Sequence, residues 1–272
     1  MPDSLPVSRW IVRPHPQSNP KLRHFCFPYA GGGASLFRNW WKFLPENVEV
    51  CCIQPPGREE RICEAPFRRV PDLVAALAVE LAPWLDRPFA FFGHSLGGLL
   101  SFECARRLRS RSGLLPEHLF ISACRAPHLP LARKPIHALP THAFTEELRR
   151  LNGTPEMVLK DREVMELMEP VLRADFALYE TYQYAEEAPF RIPVSAFGGL
   201  QDGEVSKDAV EAWQVHSLGG FHLQMFTGDH FYIHHAHPAV LRSMARELSL
   251  ITSRGGSPVA GIEERMPIQL EP

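Results

Sequence analysis

One serine of the chain has neighbours that would let its hydroxyl act as a nucleophile. Ser95 lies in the segment "FFGHSLGGLL" (91–100), with Gly93 two positions before it and Gly97 two positions after it. An apolar run precedes the serine and a helical pattern follows it, as a nucleophilic serine on a sharp strand-to-helix turn requires. The two glycines leave room for the strand and the helix to approach each other. The pattern predicts that Ser95 is a nucleophile; the alternative is a tight turn without a catalytic role.

A serine hydroxyl is a poor nucleophile until a base takes its proton, and the chain has 13 histidines to choose from. When the serine lies on such a turn, an acid and then a histidine follow it along the chain. His230 is the first histidine after the last predicted strand. His94 is adjacent to the serine and points away from its hydroxyl, and His24 falls within an early strand. We therefore predict His230 as the base; the histidines that follow it are His234, His235 and His237.

The carboxylate that orients the base is expected after the preceding strand. In the segment "VSAFGGLQDGEV" (194–205), a strand pattern and two glycines come before Asp202. The nearest competing carboxylates are Glu204 and Asp208, whereas Asp229 is adjacent to the histidine and poorly placed to reach its outer nitrogen. The predicted catalytic set is Ser95, Asp202 and His230.

Acyl chemistry at a serine also needs two N–H donors for the oxyanion that forms. The N–H of Leu96, the residue after the serine, is one candidate. The segment "PYAGGGA" (28–34) follows an early strand, and its three glycines let the backbone turn its amides inward. A flexible turn and a phosphate-binding loop are the alternatives, but no Gly-Lys-Ser/Thr follows the glycines and the G-x-G-x-x-G spacing is incomplete. We interpret the segment as the second part of an oxyanion hole.

Six short apolar runs of strand length alternate with helical patterns along the chain. The runs cover residues 22–29, 48–53, 89–93, 118–124, 194–198 and 223–226. The clearest helical patterns cover residues 70–85, 96–109 and 238–248. This alternation predicts an α/β fold with right-handed crossovers and a mostly parallel sheet that helices cover on both faces.

Residues 125–184 interrupt the alternation, because they contain proline-rich turns and helical patches but no strand pattern. The helical patches cover residues 141–151, 160–168 and 171–184. A structureless loop of this length is rare, so we expect a helical insertion over the carboxyl ends of the strands, where ligands bind. A packing excursion without a role at the site is the alternative. The other expected divisions are an irregular lead-in (1–20), one α/β domain (21–250) and a disordered tail (251–272).

Composition restricts the class of partner and the compartment. The 272 residues are 45% apolar and 22% charged, and the formal net charge of −2 gives no reason to expect nucleic acid or a membrane as partner. The six cysteines form no C-x-x-C pair and no metal-ligand spacing, which indicates reduced thiols in a cytoplasmic protein. No apolar stretch approaches about 18 residues, the length of a membrane span, and the first residues contain no apolar core of signal-peptide length.

Seven segments together resemble the type II thioesterases, which are stand-alone α/β-hydrolases of polyketide and nonribosomal peptide synthesis. In chain order they are "FPYAGGGAS", "QPPGREER", "FFGHSLGG", "LNGTPEMVLKD", "PVLRADFALYETYQY", "FGGLQDGEVSKDAVEAW" and "TGDHFYI". The match runs from about residue 22 to residue 248. Leu96 stands where the family often has methionine, which leaves the backbone N–H unchanged. Asp229 stands where the family usually has the second glycine of a pair.

The resemblance implies a role for each candidate residue. The catalytic roles fall on Ser95 as nucleophile, Asp202 as acid and His230 as base. The backbone amides of Ala30 and Leu96 match the oxyanion hole of the family, and residues 125–184 match its helical lid over the acyl channel. The lid side chains that would fill the channel are Phe144, Met157, Leu172, Phe176 and Tyr179. Ordinary packing within the lid is the alternative for these five.

The activity implied by the resemblance is hydrolysis of acyl groups from the phosphopantetheine arm of acyl or peptidyl carrier proteins, without a metal or an organic cofactor. The biological task would be editing of stalled acyl groups or release of a product. Two other functions stay open. A carboxylesterase or lipase acting on free oxygen esters would use the same residues. A non-catalytic module that docks a carrier protein would keep the scaffold without needing the catalytic set.

Overall fold

Seven strands form one sheet in residues 8–254, the part of the chain that the computed structural model describes. They are β1 Ile11–Val12, β2 Leu22–Phe27, β3 Val48–Ile53, β4 Phe89–His94, β5 Leu119–Ser122, β6 Val194–Gly199 and β7 Phe221–Phe226. The spatial order is β1-β3-β2-β4-β5-β6-β7. β1 pairs antiparallel with β3, and the other neighbouring pairs are parallel. The parallel arrangement brings the carboxyl ends of six strands to one edge of the sheet.

Seven α-helices accompany the sheet in the same residues. They are α1 Val70–Leu81, α2 Leu96–Ser112, α3 Thr141–Leu151, α4 Glu156–Lys160, α5 Arg162–Glu180, α6 Lys207–Glu211 and α7 His237–Ser253. α5 begins after Asp161, whose side chain accepts hydrogen bonds from two N–H groups of the first turn. α2 ends at Gly113, which adopts the left-handed conformation that glycine tolerates (φ 67°). Within residues 8–254, no helix is both long and apolar enough to cross a membrane.

Alternate residues of the central strands face two separate cores. Phe25 and Phe91 point to the face that α1, α2 and α6 cover, and Cys26 and Phe92 point to the face that α7 covers. All four side chains are fully buried. Helices thus cover both faces of the sheet, and the predicted α/β architecture is confirmed.

Helices α3, α4 and α5 follow β5 and have a small core of their own. Its buried members are Ile136, Phe144, Leu148, Leu159, Met165 and Leu172. The patches predicted at 160–168 and 171–184 are wrong as two separate helices: α5 spans both, contains Pro170 and ends at Glu180. Proline removes one backbone hydrogen bond from a helix interior. Val171 and Leu172, directly after the proline, are buried and hold this part of the helix against its neighbours.

Other boundaries differ from the sequence-based expectation. The lead-in predicted as irregular contains β1, whose two residues are too few to show a side-chain pattern. The 70–85 pattern is α1 followed by a 3-10 turn, Ala82–Trp84, because Pro83 cannot continue the α-helical hydrogen bonds. α7 continues to Ser253, so residues 251–253 of the predicted tail are helical. Residues 1–7 of the lead-in and residues 255–272 of the tail lie outside the described residues.

The six cysteines are unpaired, and they differ in their exposure. Five are buried: Cys26, Cys51, Cys52, Cys104 and Cys124. Burial raises the pKa of each of these five thiols, so they are protonated at neutral pH. Cys63 is exposed and lies two residues after the 3-10 turn Glu59–Arg61.

Candidate active site

Ser95 lies on a strained turn between β4 and α2. Its backbone has φ 54° and ψ −118°, a conformation that residues other than glycine rarely adopt. Glycine is required on both sides, because a Cβ at Gly93 would overlap the carbonyl oxygen of Gly97, and a Cβ at Gly97 would overlap that of Phe27. The N–H of Ser95 donates to the carbonyl oxygen of Ser122 on β5 (2.7 Å). The turn therefore holds the serine at the carboxyl edge of the sheet.

The three residues predicted as the catalytic set form one hydrogen-bonded chain. His230 Nε2 lies 3.0 Å from Ser95 Oγ, although the two residues are 135 positions apart. His230 Nδ1 lies 2.9 Å from Asp202 Oδ2. An ionised carboxylate only accepts, so Nδ1 carries the proton and Nε2 can accept the proton of the serine hydroxyl. This arrangement can convert the hydroxyl into a nucleophile.

The loop after β6 holds the carboxylate of Asp202 through Oδ1, the oxygen that does not contact His230. Oδ1 accepts hydrogen bonds from the N–H groups of Glu204 (2.8 Å) and Val205 (3.0 Å), and the side chain is fully buried. The competing carboxylate of Glu204 instead forms ion pairs with Arg133 and Arg150. Only one oxygen of Asp202 is thus left for the histidine.

The alternative histidine and the alternative carboxylate close to His230 in the sequence have other hydrogen-bond partners. His234 Nε2 lies 3.0 Å from the hydroxyl of Tyr29, and burial lowers the pKa of His234. The carboxylate of Asp229 accepts a hydrogen bond from the N–H of Phe231 (2.9 Å). Neither side chain lies within hydrogen-bonding distance of Ser95 in the described residues.

His94 supports the backbone of His230, a contact that the sequence analysis missed. Its Nε2 donates to the carbonyl oxygen of His230 (3.0 Å), and its Nδ1 accepts from Ser122 Oγ (2.8 Å). The hydroxyl of Tyr232 donates to the same Ser122 Oγ (2.5 Å). Burial holds the pKa of His94 well below its ordinary value, so the ring is neutral and has one donor and one acceptor. The alternation of β4 is the signal that could have found it: His94 shares a face with Phe92, the face that α7 covers.

Two backbone N–H groups beside Ser95 have no acceptor. The N–H groups of Ala30 and Leu96 donate to no oxygen within residues 8–254, and both residues line the same cavity as Ser95. Leu96 is the first residue of α2, whose N-terminal end carries a partial positive charge. These two groups are placed where the sequence predicted an oxyanion hole.

The cavity encloses about 100 Å³ between the sheet edge and helices α3 and α5. Its floor includes Ser95 and His230. Its walls are mainly apolar and come from Leu148, Leu151, Leu172, Phe176 and Tyr179. Arg125, Arg133 and Glu204 are the charged members of its lining. Among residues 8–254, no three side chains of His, Cys, Asp or Glu cluster as metal ligands would.

Three of the five side chains predicted to fill an acyl channel line this cavity, namely Leu172, Phe176 and Tyr179. Phe144 and Met157 do not line it. Phe144 is fully buried behind Phe176, with its ring edge-on to the ring of Phe176. Met157 is 79% exposed, because the short helix α4 buries only Leu159. Sequence alone could not separate these positions, because which face of each helix turns to the cavity depends on how the helices pack.

Comparisons with known proteins agree with this geometry. The family described as thioesterase domain matches residues 23–248. The chain is 45% identical to the gramicidin S biosynthesis protein GrsT of Aneurinibacillus migulanus, over 90% of this chain and 96% of that protein. Among solved structures, the thioesterase RedJ of the prodiginine pathway in Streptomyces coelicolor is 36% identical (TM-score 0.79; 84% and 91% covered). The type II thioesterase BorB of the borrelidin cluster is 34% identical (TM-score 0.81; 88% and 97% covered).

Proposed function

The chain belongs to the thioesterase family and is a thioester hydrolase of the type II class, and from this membership we propose that its substrates are acyl groups on the phosphopantetheine arm of carrier proteins. The carriers would be those of polyketide or nonribosomal peptide synthesis, because two of the similar solved structures are proteins of the colibactin and yersiniabactin NRPS/PKS pathways. The observation that carries the proposal is the Ser95–His230–Asp202 chain at the floor of an apolar cavity. Its unpaired cysteines support a cytoplasmic location.

In the first half of the proposed reaction, Ser95 Oγ attacks the thioester carbonyl carbon while His230 Nε2 takes the hydroxyl proton. The N–H groups of Ala30 and Leu96 donate to the oxyanion of the tetrahedral intermediate. The C–S bond then breaks, and His230 gives its proton to the departing phosphopantetheine sulfur. The acyl group is left as an ester on Ser95.

In the second half, water releases the acyl group. His230 takes a proton from the water as its oxygen attacks the ester carbonyl, and the same two N–H groups again hold the oxyanion. The bond to Ser95 Oγ breaks, the serine recovers its proton from His230 and the free acid leaves. The fixed acceptor at Asp202 keeps the imidazole in one tautomer throughout both halves.

The helices of segment 125–184 make the cavity better suited to an acyl substrate than to a polar one. Helices α3 and α5 give the cavity an apolar wall directly above Ser95, which can bury the hydrocarbon part of an acyl group. We propose that these helices form the lid of the acyl site and that the phosphopantetheine arm enters along its edge. The carrier protein itself would stay outside the cavity.

The test is mass spectrometry of a panel of acyl carrier proteins incubated with the enzyme. We expect conversion of acyl carriers to free-thiol carriers by the natural chain. With Ser95→Ala the rate should fall by at least about 10⁴-fold, because no acyl-enzyme can form. The variant should keep the circular dichroism spectrum and the unfolding midpoint of the natural protein. Unchanged turnover by the variant would exclude Ser95 as the nucleophile.

The same assay separates the two alternative functions. A carboxylesterase would prefer a p-nitrophenyl ester of the same acyl group over the carrier-bound thioester, as judged by kcat/KM. A docking module would bind the carrier protein without converting it, and Ser95→Ala would leave that binding unchanged. The first result would contradict the proposed substrate class, and the second would contradict the proposed hydrolysis.

A further inference from the structure

Two buried charged residues from the motifs of the chain have no part in the proposed reaction. Arg58 lies in "QPPGREER" (54–61) and Asp175 lies in "PVLRADFALYETYQY" (170–184), on α5. Their side chains are 7% and 2% exposed. Arg58 Nη1 lies 2.8 Å from Asp175 Oδ2, and Nη2 lies 2.9 Å from Oδ1. This is a two-point contact between residues 117 positions apart, and it joins the lid helix to the hydrolase domain.

Both residues also bind the glycine loop that contains Ala30. The N–H of Gly31 donates to Asp175 Oδ2 (2.7 Å). Arg58 Nη1 donates to the carbonyl oxygen of Gly32 (3.2 Å). The ion pair therefore binds the backbone immediately after Ala30 through one donor and one acceptor.

These contacts fix the peptide that carries the Ala30 N–H. The N–H of Gly32 donates to the carbonyl oxygen of Tyr29 (2.9 Å), which closes a tight turn over residues 29–32. The Tyr29 carbonyl and the Ala30 N–H belong to the same planar peptide, so the turn sets the direction of that N–H. Gly31 has φ 78°, which glycine adopts without cost. Because glycine has no side chain, the loop could also take other conformations unless contacts such as these hold it.

Helix α5 closes against the same turn with apolar contacts. A Cβ at Gly31 would come within 2.6 Å of Leu172 Cδ2, so this part of the loop packs directly on the helix. Phe176, one residue after Asp175, lines the cavity. One helix thus contributes the wall of the acyl site and the carboxylate that holds the glycine loop.

We propose that Asp175 and Arg58 are positioning residues for the oxyanion hole: they hold the 29–32 turn so that the Ala30 N–H points into the cavity beside Ser95. Neither side chain touches the reacting atoms. The inference rests on the proposed function only for the role of Ala30 as a donor. It adds that lid helix α5 determines the geometry of that donor.

The expected effect falls on the chemical step. An oxyanion donor interacts more strongly with the transition state than with the substrate, so a displaced donor lowers kcat and leaves KM nearly unchanged. Complete loss of one such donor costs about 10²–10³-fold in kcat. In the variants the turn is loosened rather than removed. Their kcat should therefore fall by at least about 10-fold, and by no more than the complete loss of the donor would cause.

The test uses Asp175→Asn and Arg58→Lys, with Glu169→Gln as the matched control. Asn keeps the shape of Asp175 but loses the paired charge, and Lys keeps the charge of Arg58 but cannot form the two-point contact. Glu169 is also on α5 and pairs with Arg173, away from the glycine loop. The unfolding midpoint of each variant is recorded first, since a broken buried pair also lowers stability.

The readout is the rate at which a small alkyl fluorophosphonate labels Ser95. In this step Ser95 Oγ forms a bond to phosphorus, fluoride leaves and the hydroxyl proton goes to His230, while the phosphoryl oxygen occupies the oxyanion hole. The assay needs no carrier protein, so it stays informative if the proposed substrate class is wrong. The kcat and KM values for an acyl carrier protein are measured in parallel.

We expect the fluorophosphonate to label folded Asp175→Asn and Arg58→Lys at least about 10-fold more slowly than the natural protein, and to label Glu169→Gln at the natural rate. In the parallel assay, the KM of the variants for the acyl carrier protein should stay within twofold of the natural value. Labelling within twofold of the natural rate in either folded variant would overturn the proposal. If both single variants fail to fold, the double variant Arg58→Met/Asp175→Leu replaces the pair by apolar side chains, a change that buried ion pairs often tolerate. The same loss is expected there, and an unchanged rate would again overturn the proposal.

Discussion

The ring proton of His230 lies on Nδ1 because its hydrogen-bond partner in residues 8–254, Asp202 Oδ2, can accept a hydrogen bond but not donate one. The other oxygen of Asp202 is occupied by two backbone N–H groups, so the carboxylate cannot rotate to offer a different face. His94 holds the backbone carbonyl oxygen of the same histidine. The position of one imidazole thus depends on contacts from β4, β5 and the loop after β6.

Asp202→Asn should lower kcat by about 10⁴-fold with little change in stability. The amide of Asn can keep its oxygen on the two backbone N–H groups, which leaves its NH₂ facing His230 Nδ1. The histidine must then accept at Nδ1 and carry its proton on Nε2, where it cannot take the proton of Ser95. Steady-state kinetics and thermal unfolding measure the two effects.

Asp208→Asn is the matched control, because Asp208 is an exposed carboxylate on the first turn of α6, six residues from Asp202. It should retain the natural rate. An Asp202→Asn variant that keeps more than a tenth of the natural kcat would contradict the proposed role of this carboxylate.

Among the helices and strands, the sequence predicts those whose bounds a local side-chain pattern determines. The bounds of α3 are predicted as observed, because buried Phe144 and Leu148 recur at helical spacing among charged residues. β1 is not predictable, because two residues become a strand only through pairing with β3. In the same way, the glycines around Ser95 identify the turn, whereas the His94 contact depends on the distant residue His230.

Gly97→Ala should lower the free energy of unfolding by about 3 kcal/mol, the upper part of the range for overpacked sites. The added methyl group would overlap the backbone carbonyl oxygen of Phe27, so β2 and α2 would have to separate. Chemical denaturation of the purified variant measures the loss.

Gly113→Ala is the comparison for this change. A Cβ there meets no heavy atom within 4 Å, and the cost comes from φ 67° alone, so about 1 kcal/mol is expected. Equal losses in the two variants would show that backbone overlap does not explain the requirement for glycine at position 97.

The sheet of the whole molecule is buried on both faces, and this places ionisable side chains away from water. His24 on β2 is fully buried, and burial together with the nearby His118 lowers its pKa to about 3. Burial lowers the pKa of His118 to about 4. Both rings are therefore neutral in the folded protein at neutral pH, whereas in the unfolded chain they titrate near pH 6.5.

The free energy of unfolding should fall as the pH drops below about 6.5. Between that value and the folded-state pKa of about 3, the unfolded chain binds a proton at His24 that the folded chain does not. At pH 5 this amounts to about 2 kcal/mol. Replacing His24 by Met should therefore reduce the loss of stability between pH 7.5 and pH 5 by about that amount.

Urea denaturation at the two pH values measures this difference. His142→Met is the control, because His142 on α3 is exposed and is not among the charged groups that lower the pKa of His24 or His118, so the part of the pH dependence that comes from His24 should remain. An identical loss of stability in the natural protein and in His24→Met would contradict the assignment of acid sensitivity to His24.

The unequal exposure of the cysteines gives the folded protein a single natural attachment point. A maleimide fluorophore meets one accessible sulfur, at Cys63, while the other five are enclosed in the two cores and protonated. That sulfur lies five positions beyond Arg58, in the connection between β3 and α1. A dye can therefore be placed on this connection without engineering any other position, and the number of dyes per molecule distinguishes folded from unfolded chains.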